Sequence, residues 1–123
     1  MTIIVTNFNL VVRRSVYLFN KCLRKFRKDE MIWLEFFNFL IKHKCFNILN
    51  KEIGSCLVNN PKNIDFWKIA AYNEFENNLN TLAARNILQK CIRVNRRVLE
   101  ANLEYFIFEL KFVDKVYRRR SAS

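Results

Sequence analysis

Metal ligation or acid–base chemistry in this 123-residue chain would have to be built from four cysteines, one histidine and eleven carboxylates. Cys22, Cys45, Cys56 and Cys91 are separated by 23, 11 and 35 residues, which provides neither a C-x-x-C pair nor a zinc-ligand spacing. His43 has no second imidazole to work with. Glu74 and Glu76 stand two apart in a helical run, hence about 200° around the helix, and cannot converge on one substrate atom. With a single glycine there is no loop to cradle a phosphate, and no Ser/His/Asp or Cys/His set can be assembled. The expectation is a protein that is not an enzyme, with no metal, cofactor or small-molecule substrate. The cysteines read as small buried hydrophobes in a reducing compartment.

The cations form the one pattern with chemical content. The net charge is +11, and 15 of the 22 basic residues lie in two stretches, seven at 13–28 and eight at 93–120. Arg13, Arg14, Lys21, Arg24, Lys25, Arg27 and Lys28 come with no acid among them. They share a helical segment with an apolar face, so they must occupy the rest of its circumference. With Arg93, Arg96 and Arg97 they are the candidate contacts to a polyanion backbone such as RNA. No Gly-rich or aromatic RNP-type segment accompanies them, which argues against reading of base sequence. The twelve phenylalanines recur with helical period and read as core.

The elements that must carry these side chains are helices. One Gly and one Pro leave too little turn chemistry for an all-β fold, so an all-α class is expected. Helices are placed at about 10–28, 30–43, 46–60, 64–78, 80–95 and 98–118, with Asp29, Asn63 or Asp65, and Asn80 as N-caps and Pro61 as a stop signal. The apolar runs are too short or too interrupted for a membrane span, and no basic region precedes the first of them as in a secretory signal. An intracellular protein without membrane contact is expected.

The chain also repeats itself. Cys22-Leu23, Cys56-Leu57 and Cys91-Ile92 align at offsets of 34 and 35 residues. Three residues before each cysteine stand Phe19, Ile53 and Leu88, and eleven after stand Trp33, Trp67 and Asn102. Trp67, Ala70, Ala71 and Phe75 form one apolar stripe, and Leu99, Leu103, Phe106 and Leu110 another. Trp67 and Phe75 are expected between the two helices of a unit, with Ala70 and Ala71 admitting a close backbone. A period near 34 with two helices per unit marks a tetratricopeptide-like solenoid: antiparallel helix pairs in a right-handed superhelix, here about three repeats. The expected layout is an N-terminal segment 1–10, a repeat domain 11–120 with units at about 11–43, 46–78 and 80–118, and a tail 121–123. The first and last helices should expose apolar faces, as at the uncapped ends of a piece of a longer protein.

Trp67 with Phe75-Glu76, followed by Ala84-Arg85, Ile87-Leu88 and Cys91-Ile92, resembles the half-a-TPR (HAT) repeat, a subclass found largely in RNA-processing proteins. Adding Leu103-Glu-Tyr-Phe-Ile-Phe-Glu-Leu110 and Asp114-Lys115-Val116-Tyr117-Arg118, residues 11–120 resemble the U-three small nucleolar RNA-associated protein 6 family. Tyr105 and Phe106 thereby join the expected repeat core. The family pattern is departed from at Asn102, where an aromatic or Leu is usual, and at Arg27 and Arg96, where Pro61 keeps the proline. The resemblance implies a nucleolar scaffold of the small-subunit processome that supports pre-ribosomal RNA processing. It implies WD-repeat propeller proteins as partners, and pre-ribosomal RNA and U-three small nucleolar RNA reached directly or indirectly. The alternative is a HAT protein of the spliceosome or of mRNA 3′-end processing.

Overall fold

The computed structural model describes residues 2–122, with side chains from 9 to 121. Six α-helices follow one another: α1 (Thr2–Lys25), α2 (Glu30–Lys42), α3 (Phe46–Asn59), α4 (Ile64–Tyr72), α5 (Thr81–Val94) and α6 (Leu99–Ala122). A single π-helical turn, Asn73–Asn77, extends α4, and no strand occurs among the described residues. The class is all-α, as expected. The boundaries differ at the ends: α1 begins at Thr2, absorbing most of the segment set apart at 1–10, and α6 continues through Ala122 into the expected tail. Met1 and Ser123 lie outside the described residues. No described helix is long and apolar enough to cross a membrane.

Short polar side chains start α2, α4 and α5. Asp29 accepts from the Ile32 amide at 3.1 Å, Asn63 from Asp65 at 3.0 Å and Asn80 from Ala83 at 3.0 Å. Of the two caps open for α4, Asn63 is the one used. Lys44 ends α2 in the left-handed region (φ 56°), with its amide on the Ile41 carbonyl and that of Cys45 on Leu40. This is a Schellman closure with lysine where glycine is usual. Leu79, 35 residues on, has the same conformation (φ 54°).

Two compact units divide the chain, residues 1–52 and 53–123. In the first, α1 packs on α2. Phe19 stacks on Phe36 with centroids 4.9 Å apart, and Leu23, Trp33, Phe36, Phe37 and Leu40 are buried. In the second, α5 packs against α4, the π-turn and α6. One cluster joins Ala71, Phe75, Ala84, Leu88 and Phe108, with Tyr105 partly buried against it; the other joins Ile64, Trp67, Cys91 and Ala101, with Leu57 and Ile92 at its edge. Ala70, Ala71, Ala84 and Ala101 are at most 1% exposed, so small methyl groups fill these packed positions. Phe75 meets Phe108 edge to face at 5.1 Å. Ile53 is half-buried and Cys56 buried.

Two expected core positions lie outside. Cys22 is exposed, whereas Cys56 and Cys91 are buried. Cys91 is covered by Trp67 and Ile64 of α4, but α1 turns Phe19 and Leu23 to its partner, and Cys22 lies 100° round the helix from Leu23. Phe106 is 61% exposed, together with Leu99, Leu103 and Leu110. The helix is apolar on two sides, and the side that packs carries Ala101, Tyr105, Phe108 and Phe112 instead.

A hydrogen-bonded network locks α5 to α6. The Arg85 guanidinium donates to both Glu109 oxygens at 2.9–3.2 Å, the Tyr105 hydroxyl donates to Glu109 at 3.0 Å, and Gln89 donates to Tyr105 at 3.2 Å. Its bond from Arg85 holds the Glu109 carboxyl below its ordinary range against the opposing effect of burial. The same bond raises the Arg85 guanidinium. Burial pushes the Cys91 thiol up, which keeps it protonated and unreactive.

Candidate nucleic-acid interface

Three helix junctions, which present Arg27, Lys28, Arg96 and Arg97 of the candidate cations, are built alike. At each, the amide after the turn bonds the carbonyl three residues back: Asp29 to Phe26, Asn63 to Asn60, Val98 to Asn95. The offsets are again 34 and 35 residues. The indole of Trp33 donates to the Arg27 carbonyl at 2.8 Å and that of Trp67 to the equivalent Pro61 carbonyl at 2.9 Å. Asn60 and Asn95 each donate a side-chain bond back to the cysteine carbonyl four residues earlier. The third junction lacks its indole: Asn102 bonds Val98 instead and is exposed.

Each junction carries a cation at one equivalent position: Lys28, Lys62 and Arg97. Lys62 was not among the residues expected from the basic stretches, because it stands alone between Pro61 and Asn63; the repeat offset is the signal that finds it. Its ammonium donates to the Val94 carbonyl at 3.1 Å, at the C-terminal end of α5, where a cation is favoured by the helix dipole. Arg97 takes a positive φ of 64°.

All ten expected contacts, Arg13, Arg14, Lys21, Arg24, Lys25, Arg27, Lys28, Arg93, Arg96 and Arg97, are exposed. Arg13, Arg14, Lys21, Arg24 and Lys25 fall within about 120° of the α1 circumference, opposite the side that carries Val16, Phe19 and Leu23. Tyr17, 51% exposed, stands among them four residues from both Arg13 and Lys21. Lys25 lies 5.6 Å from the ring centre of Phe26. None of the ten is in an ion pair among the described residues, in contrast to Lys68 with Glu104, Arg85 with Glu109 and Arg118 with Asp114. Their charge is uncompensated within the fold, the arrangement that attracts phosphates by counterion release. Arg93, Arg96 and Arg97 belong to the second unit, at the end of α5 and in the turn after it.

No group of three or more His, Cys, Asp or Glu side chains that could hold a metal ion occurs among the described residues.

Over 107 residues the chain is 31% identical to the U3 small nucleolar RNA-associated protein 6 of Schizosaccharomyces pombe, a match covering 87% of the chain and 22% of that protein. The Dictyostelium discoideum homolog of that protein is 30% identical over 106 residues, covering 86% of the chain and 17% of the relative. This chain belongs to the U3 small nucleolar RNA-associated protein 6 family. The Homo sapiens member is 25% identical over 112 residues, 91% of the chain and 19% of its own length. The chain thus spans about a fifth of the length of the curated family members it matches. No family model matches it, and no solved structure does.

Proposed function

We propose that this chain contributes HAT-type helical repeats to a scaffold subunit of the small-subunit processome. In this role it supports early pre-ribosomal RNA processing and assembly of the small ribosomal subunit in the nucleolus. The observation that carries this reading is the similarity over 87% of the chain to a protein named for its association with U3 small nucleolar RNA. Helix junctions that recur every 34–35 residues support the repeat assignment, with units at about 11–43, 46–78 and 80–118. The contribution is positional: helix faces hold WD-repeat propeller proteins, and exposed cations lie against the backbone of pre-ribosomal RNA or U3 small nucleolar RNA. The chain performs no chemical step of its own.

Depletion of the parent protein in cells tests this reading. Small-subunit ribosomal RNA precursors should remain uncleaved while large-subunit processing continues, and the tagged protein should co-purify with propeller-containing assembly factors. Normal ribosomal RNA maturation together with co-purification of spliceosomal proteins would overturn it.

A further inference from the structure

Within the second unit, the π-turn and the C-terminal half of α6 enclose a groove of about 500 Å³ lined by Phe75, Glu76, Lys111, Asp114, Lys115, Arg118 and Arg119. Its two lysines are held in place by aromatic rings: Lys111 Nζ lies 4.5 Å from the ring centre of Tyr72, and Lys115 Nζ lies 4.3 Å from that of Phe75. Neither is in an ion pair among the described residues, although Asp114 and Glu76 line the same groove. Asp114 is taken by Arg118 at 3.1 Å. Two ammonium groups four residues apart on one helix face repel each other, and ordering two long side chains costs entropy. An oxyanion bridging them would relieve the first cost and exploit the second, because ordering that is already complete is not lost again on binding.

From this arrangement we infer that the groove is a docking site for an acidic peptide segment of a partner protein, whose carboxylates seat on Lys111 and Lys115. Charge complementarity selects the occupant, and two features favour peptide over RNA. The faces of Tyr72 and Phe75 are already covered by lysine, and Phe75 is 3% exposed, so no ring is open for a base to stack on. Glu76 on the lining repels an evenly charged phosphodiester, whereas a peptide offers it amide donors between its own carboxylates. The inference deepens the scaffold reading and rests on it for the kind of partner.

Fluorescence anisotropy with a labelled Glu-rich peptide of about ten residues, its Gln counterpart and an oligouridylate of equal length tests the site on the full chain. The Glu peptide should bind and the Gln peptide should not. The double variant Lys111→Gln/Lys115→Gln should weaken the Glu peptide about tenfold, while the equally charge-reduced Lys51→Gln/Lys90→Gln, outside the groove, should leave it within about twofold. Reversal with Lys111→Glu/Lys115→Glu should transfer binding to a Lys-rich peptide, a gain that misfolding cannot imitate. Equal losses in the two Gln variants would reduce the effect to net charge and overturn the inference. Oligouridylate binding that depends on Lys111 and Lys115 as strongly as peptide binding would reassign the groove to RNA. Loss of the peptide site with precursor processing still dependent on the parent protein would sink the docking inference alone; the reverse result would sink the scaffold reading alone.

Discussion

Tyr72 combines two roles that can be separated. Its ring supports Lys111 and packs on Phe108, but its hydroxyl is buried without a hydrogen-bond partner among the described residues. An unpaired buried hydroxyl costs its desolvation with no return, so Tyr72→Phe should stabilise the fold by about 1 kcal/mol, read from urea unfolding. A variant of equal or lower stability would show that the hydroxyl is paired. Glu109 gives the opposite case. Its carboxyl is depressed first by the Arg85 bond, so its stabilisation is complete above the unfolded value of about 4.3 and is lost as pH falls through the folded one. Glu109→Gln should therefore cost about 1 kcal/mol at neutral pH, discounted because the pair is partly solvated, and progressively less below about pH 4. A difference that stays constant on acidification would remove the ion pair as its source. Neither residue's role was visible in the sequence. Arg85 and Glu109 are 24 residues apart, and only the packing of α5 on α6 brings them together.

The starts of α2, α4 and α5 were legible because their signals are local: Asp29, Asn63 and Asn80 cap through atoms two or three residues away. The face that each helix buries was legible only where one side is apolar. In α4 and the π-turn that extends it, the Trp67, Ala70, Ala71 and Phe75 stripe is buried as a whole. In α6 two apolar stripes compete, and periodicity alone cannot rank them; packing on α5 selects Tyr105 and Phe108 and leaves Phe106 outside. The π-turn was not legible either: the amide of Asn78 bonds the Asn73 carbonyl five residues back, and no residue type signals that extra residue in the turn. Gly54 inside α3 tests how far propensity still matters in such helices. Apart from its chain neighbours and its own helix backbone, no described residue lies within 4 Å of a Cβ added there. Gly54→Ala should raise stability by about 0.5–1 kcal/mol in a thermal melt, through backbone entropy alone. A decrease instead would place an unseen neighbour on that face.

At the scale of the whole molecule, a net charge of +11 would favour any polyanion, so affinity for RNA alone does not identify an interface. The arrangement of the charge is more discriminating. On α1 the cations lie along one side without carboxylate partners among the described residues, whereas Arg85 and Arg118 spend theirs within the fold. Phosphates neutralised by the α1 side carry no sequence information, and each counterion they release steepens the dependence of affinity on salt. Replacing Arg24 and Lys25 on α1, together with Arg27 and Lys28 in the turn that follows it, by Gln should therefore weaken binding to unrelated single-stranded RNAs to a similar degree. It should also lower the slope of log affinity against log salt by about 0.7 for each phosphate that is no longer neutralised. Four equally spaced substitutions elsewhere would lower overall charge as much, yet leave that slope nearly unchanged if the phosphates sit locally on α1. A strong preference for one RNA sequence, or a slope that follows net charge wherever the substitutions are placed, would exclude the α1 side as a defined backbone-binding face and leave long-range attraction as the only electrostatic role of this chain.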